Sequence, residues 1–107
     1  MIYPYQPTPG SGVPITAGIG ANQQVAVLKG CRSICVSNRS AAQICVRVNP
    51  PNESANTPAT ANDQEVLPNT VRVFTKDQDT TVINIFNPGA AIAAGQVTSG
   101  IGGTGGA

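Results

Sequence analysis

The 107-residue chain contains neither histidine nor tryptophan. Lacking histidine, it lacks the commonest general base, the usual partner in a nucleophilic triad and the commonest metal ligand. With two tyrosines, two phenylalanines and 4% aromatic residues, it also lacks the stacking platforms that hold bases or sugars. Charge is scarce, at 10% of residues and a formal net +1, so the basic stripe of a nucleic-acid binder is missing. No stretch approaches the roughly 20 apolar residues of a membrane helix. The opening MIYPYQPTPGSG has neither a basic region nor an apolar run, so no secretory signal is read there. Three cysteines cannot close an intrachain disulfide framework, which points to a reducing compartment.

The reactive groups that remain do not assemble into a motif. Cys31, Cys35 and Cys45 are the candidate nucleophiles, and a thiolate would need Lys29, Arg32 or Arg47 beside it. Cys31-x3-Cys35 fits zinc spacing only loosely, and no second pair follows. These thiols read as small packed side chains. If Cys35 and Cys45 faced the same way across a hairpin, however, they would be neighbours able to oxidise. The carboxylates, Glu53, Asp63, Glu65, Asp77 and Asp79, form neither an acid–base pair nor a calcium loop. The glycines near the end follow no phosphate-binding pattern. We therefore expect no enzyme: no catalytic residue, no cofactor and no metal site.

Strand periodicity is what the sequence does offer. In residues 32–49, Ile34 and Val36 alternate along one run and Ile44, Val46 and Val48 along the next, around the polar patch Asn38-Arg39-Ser40-Ala41-Ala42. The pattern predicts a β-hairpin with one face on a core. Further strands are expected at 23–29, at 64–68 with 69–76 (a pair or one bent strand), at 80–86 and at 95–98. Val71 and Val73 share one face, and Arg72, Phe74 and Lys76 the other. Residues 49–63, NPPNESANTPATAND, form a loop of a length that often carries function. Ala90–Ala94 suits a helix but is too short to make one. The expected architecture is all-β, a small antiparallel sandwich or jelly-roll-like barrel over 23–98. An extended Pro/Gly-rich arm (1–22) precedes it and a Gly-rich tail (99–107) follows.

All eleven charged side chains lie between Lys29 and Asp79. Uncharged ends of this length are expected to lie against protein, their own or a neighbour's. Pro4, Pro7, Pro9 and Pro14 exclude helix from the arm. Its apolar residues Ile2, Tyr3, Tyr5, Pro7, Val13, Ile15 and Ile19 are the candidate partner-binding residues.

The order of features also carries a resemblance. Ile34-Cys35-Val36-Ser37-Asn38 is followed by Val46-Arg47-Val48, a polar loop, and Val66-Leu67-Pro68-Asn69. A strand with Val71, Val73 and Phe74, then Thr80-Thr81-Val82-Ile83-Asn84-Ile85 and a glycine-rich end, complete the series. Over residues 23–107 this resembles the small all-β virion proteins of tailed bacteriophages that decorate or cement capsids or sit at head–tail and tail positions. The resemblance implies a structural protein made in the host cytoplasm and located on the virion's capsid surface. It implies as partners the major capsid protein or other virion subunits, homo-oligomers on the particle, and no direct contact with nucleic acid or membrane. A ring-forming connector or tail component is the second expectation, and a receptor- or carbohydrate-binding module a third.

Overall fold

The computed structural model describes residues 5–54, 56–89 and 91–101. The strands are β1 (Gln6–Pro7), β2 (Val13–Ile15), β3 (Asn22–Ala26), β4 (Ser33–Asn38), β5 (Ile44–Val48), β6 (Gln64–Val66), β7 (Val71–Thr75), β8 (Val82–Phe86) and β9 (Gly95–Ile101). No helix occurs among the described residues. Two antiparallel sheets face each other: β1-β9-β4-β7, with β2 also on β9, and β3-β8-β5-β6. The fold is all-β and sandwich-like, as the alternation requires.

Period-two patterning decides what is buried. Ile34 and Val36 of β4 and Val97 of β9 point inward from the first sheet. Val25, Ile44, Val46, Val66, Ile83 and Ile85 meet them from the second. These aliphatics, almost wholly shielded from solvent, belong to the core cluster, which also takes in Ile15, Val27 and Phe74. Burying each is worth roughly 1.5–3 kcal/mol.

The expected hairpin over residues 32–49 is not there. β4 pairs with β7 and β9, whereas β5 pairs with β6 and β8. Residues 39–43 therefore step from one sheet to the other. The reason lies in Asn38, buried at the end of β4. Its amide donates to the carbonyls of Ala42 (2.7 Å), Val66 (3.2 Å) and Leu67 (3.2 Å). That turns the chain toward the β6 end of the opposite sheet. A second step separates β6 from β7, so residues 64–76 are neither a pair nor one bent strand.

The segments at both ends of the chain belong to the first sheet. Gln6 and Pro7 pair with Ile101 and Gly100, and residues 13–15 pair with residues 95–97. Between them the chain kinks at Gly10, whose φ of 77° suits glycine, and Ser11 ties the kink to the Ser99 carbonyl. The last strand runs to Ile101, so residues 99–101 of the expected tail are strand. At Gly100 a Cβ would meet the Gln6 carbonyl oxygen at 2.1 Å. The small residue is what lets β1 approach.

In the long loop, residues 49–54 and 56–63 fold back over the outer face of the second sheet. Arg47, outward-facing on β5, donates to both carboxylate oxygens of Glu53 (2.9 and 2.6 Å) and to Asp63 (3.2 Å). Asn49 donates to Glu53 and to the Thr57 carbonyl, and Ala59 donates its N–H to the Asn22 side chain. Ala59 is buried as a result.

Candidate interaction surface

The loops at one end of the sandwich comprise residues 16–21, 39–43, 67–70, 87–89 and 91–94. Buried asparagine side chains and backbone bonds tie them together. Asn87 donates to the carbonyls of Ala17 (3.1 Å) and Ala91 (2.7 Å). Ala93 N–H donates to Ala17 and Arg39 N–H to Ala94. Asn38 performs the same task for residues 40–42 and 66–67. With the backbone held this way, three large apolar side chains are left pointing to solvent: Ile19 at 62% exposure, Leu67 at 54% and Ile92 at 68%.

Charge is distributed oppositely. Of the eleven charged side chains, only Arg39 lies in these loops. It borders a depression of about 340 Å³ lined also by Pro14, Ala94, Gly95 and Gln96. Lys29, Arg32, Lys76, Asp77 and Asp79 lie at the other end, in or beside residues 27–32 and 76–81. Lys76 is buried there and donates to the Thr80 carbonyl at 2.9 Å; burial pushes its ammonium pKa down. Arg47, Glu53, Asp63 and Glu65 stand on the outer face of the second sheet. The Arg47 hydrogen bonds hold the Glu53 carboxyl below the ordinary carboxylate range. One end of the molecule is thus apolar and nearly uncharged, and the other is ionic.

The candidate residues of the arm have separate fates. Ile2 and Tyr3 lie outside the described residues. Tyr5 is half-buried on the outer face of the first sheet, where its hydroxyl shares a 2.7 Å hydrogen bond with Thr98 Oγ1. Pro7 and Val13 lie in β1 and β2. Ile15, 2% exposed, is used up in the chain's own core, and so is Ala17. Among the described candidates, Ile19 alone is both large and open to solvent. Leu67 and Ile92 had no signal marking them, because QEVLP reads as strand and AAIAA as a run that suits a helix but is too short to make one.

The thiols are kept apart. β4 turns Ile34 and Val36 inward and Cys35 outward, while β5 turns Ile44 and Val46 inward and Cys45 outward. Cys35 and Cys45 therefore lie on opposite outer faces with both sheets between them, and the cross-strand neighbourhood does not form. All three cysteines are unbridged, and burial raises the pKa of Cys35 and Cys45. Among the described residues no group of three or more Cys, Asp or Glu gathers to hold a metal ion. No helix among them is long and apolar enough to cross a membrane. Comparison with family models, curated proteins and solved structures found no match to this chain.

Proposed function

We propose that the protein is a non-enzymatic structural protein of a tailed-bacteriophage virion, of the capsid-decoration type, bound to the shell through the uncharged end of the sandwich. The observation that carries this reading is the polarity of the molecule. Exposed Ile19, Leu67 and Ile92 share one end with a single cation, Arg39, while the ionic groups cluster elsewhere. Apolar side chains held on short, internally bonded loops lose little entropy on docking. Exposed apolar side chains held at one end of a molecule mark a surface for protein–protein contact. The favoured partner is a capsid subunit presenting apolar side chains and a carboxylate able to reach Arg39. Copies repeated over a symmetric shell would gain avidity from contacts that are individually weak.

The test is co-sedimentation with phage capsids stripped of the protein. Leu67→Asp and Ile92→Asp should retain the fold, since both side chains are exposed, and lose binding. Undiminished binding by both variants would refute the assignment of this end. Closed rings of the isolated protein in size-exclusion chromatography would favour a connector instead.

A further inference from the structure

A sandwich with two open sheets has four edges, and three of them here are blunted. Along β1 and β2, Pro7 and Pro14 remove backbone donors. β6 is only three residues long, and Arg72 Nη1 caps its Glu65 carbonyl at 2.8 Å. β3 is flanked by β2, with Gln23 accepting from Thr16 N–H and donating to the Pro14 carbonyl. The fourth edge, β7, carries none of these devices.

The register shows what β7 offers. Lys76 N–H donates to the Arg32 carbonyl and Asn38 N–H to the Thr70 carbonyl. Antiparallel pairing alternates, so residues 72 and 74 also direct their backbone groups at β4. Val71, Val73 and Thr75 direct theirs away from it. Among the described residues these three have no partner for those N–H and C=O groups. Their side chains stand on the outer face of the first sheet, with Val71 63% exposed and Thr75 exposed.

We infer that β7 is a self-pairing edge, and that its occupant is β7 of a second copy of this chain, antiparallel about a two-fold axis through Val73. In that register Val73 faces Val73 of the other copy and Val71 faces Thr75 in both directions. Each such pair exchanges two hydrogen bonds, which satisfies every outward backbone group of the strand. The cross-strand pairs are β-branched throughout, a favourable combination on a pleated surface. Arg72 of each copy falls opposite Phe74 of the other and never opposite the other Arg72, so no like charges meet. Arg72 already lies over its own Phe74 ring at 4.9 Å. An arbitrary peptide would lack this internal symmetry. The pairing joins two first sheets into one continuous sheet and leaves the apolar ends of both copies uncovered.

Sedimentation velocity over a concentration series tests the inference. The wild-type chain should shift from monomer to dimer as concentration rises. Val73→Lys, which places two ammonium groups on the two-fold axis, should stay monomeric with an unchanged circular dichroism spectrum. Mixing it with Val73→Glu should restore dimers. Amide exchange at Val71, Val73 and Thr75 should slow on dimerisation, which a contact through the sheet face or the apolar end would not produce. A wild-type chain that remains monomeric throughout would overturn the inference. So would a folded Val73→Lys variant that associates as wild type does, or a dimer whose β7 amides stay unprotected.

Discussion

Asn38, the last residue of β4, and Asn87, the residue after β8, make the same turn. Each accepts a hydrogen bond on Oδ1 from the backbone N–H two residues on (Ser40 at 3.1 Å, Gly89 at 3.0 Å). Each also donates through Nδ2 to the carbonyl four residues on, Ala42 and Ala91, both at 2.7 Å. Asx turns of this kind let one side chain replace the ladder where a strand stops. Here both asparagines are buried, and each reaches a distant segment as well: Val66 and Leu67 in one case, Ala17 in the other.

Asn87→Ala should therefore cost on the order of 2–3 kcal/mol, since it orphans buried carbonyls as well as removing bonds. Urea unfolding followed by circular dichroism measures the loss. An exposed asparagine such as Asn62, changed to alanine, should stay within about 0.5 kcal/mol of wild type.

Gly95→Ala should be more damaging. Its φ is +145°, and a Cβ there would stand 1.8 Å from the Ser37 carbonyl oxygen. Neither strain nor clash has a flexible side chain to absorb it, so a loss of about 3 kcal/mol or more is expected. A thermal scan of the variant beside wild type settles the point.

Removing residues 1–22 should destabilise the body. The deletion strips Ile15 and Ala17 from the core and unpairs one side of β9. Ile15→Ala alone should cost about 2–5 kcal/mol. If the truncated chain unfolded at the wild-type urea midpoint, the pairing of these segments with β9 would be without energetic weight.

Acid should weaken the loop over the second sheet. Glu53 has its carboxyl pKa held down by Arg47, so the folded state binds this proton less readily than the unfolded one. The contribution is fully present above the ordinary carboxylate pKa and is lost as pH falls through the lowered folded value. In urea titrations at descending pH, the gap between wild type and Glu53→Gln should close on the acid side of the carboxylate range. A gap that stays constant would contradict the ion pair's role.

Mild oxidation of the folded monomer should yield no Cys35–Cys45 disulfide, because bridged Cα atoms must come within about 7 Å and two sheets intervene. Peptide mapping under non-reducing conditions checks this.

Alternation makes the strand faces legible in the sequence. Ile34, Val36, Ile44, Val46, Ile83 and Ile85 are where period two puts them, in the core. Pairing was not legible, because residues 39–43 could close a hairpin or cross the sandwich equally well. What decides between them is Asn38 reaching carbonyls 28 and 29 residues away, a contact no local pattern encodes. The two faces of β7 were separable, yet hydrophobicity misleads about their sense: Val71 points to solvent while Lys76 is buried. Its stem packs and its ammonium finds the Thr80 carbonyl. The exposed Leu67 and Ile92 stayed hidden because nothing in a strand end or a short alanine-rich run separates an outward apolar side chain from an inward one.

The sheet-to-sheet stepping has a kinetic consequence. Apart from β1 to β2 and β5 to β6, every link between consecutive strands changes sheet, so few native contacts are local. The first sheet is built from both extremes of the chain, with Gln6 registered against Ile101. During synthesis, β1, β2 and β4 must wait for β9, the last of the described strands to be made, before their ladders with it can close. Until then Ile15 and Ile34 have no finished core to enter, and the nascent chain depends on whatever shields it from its neighbours.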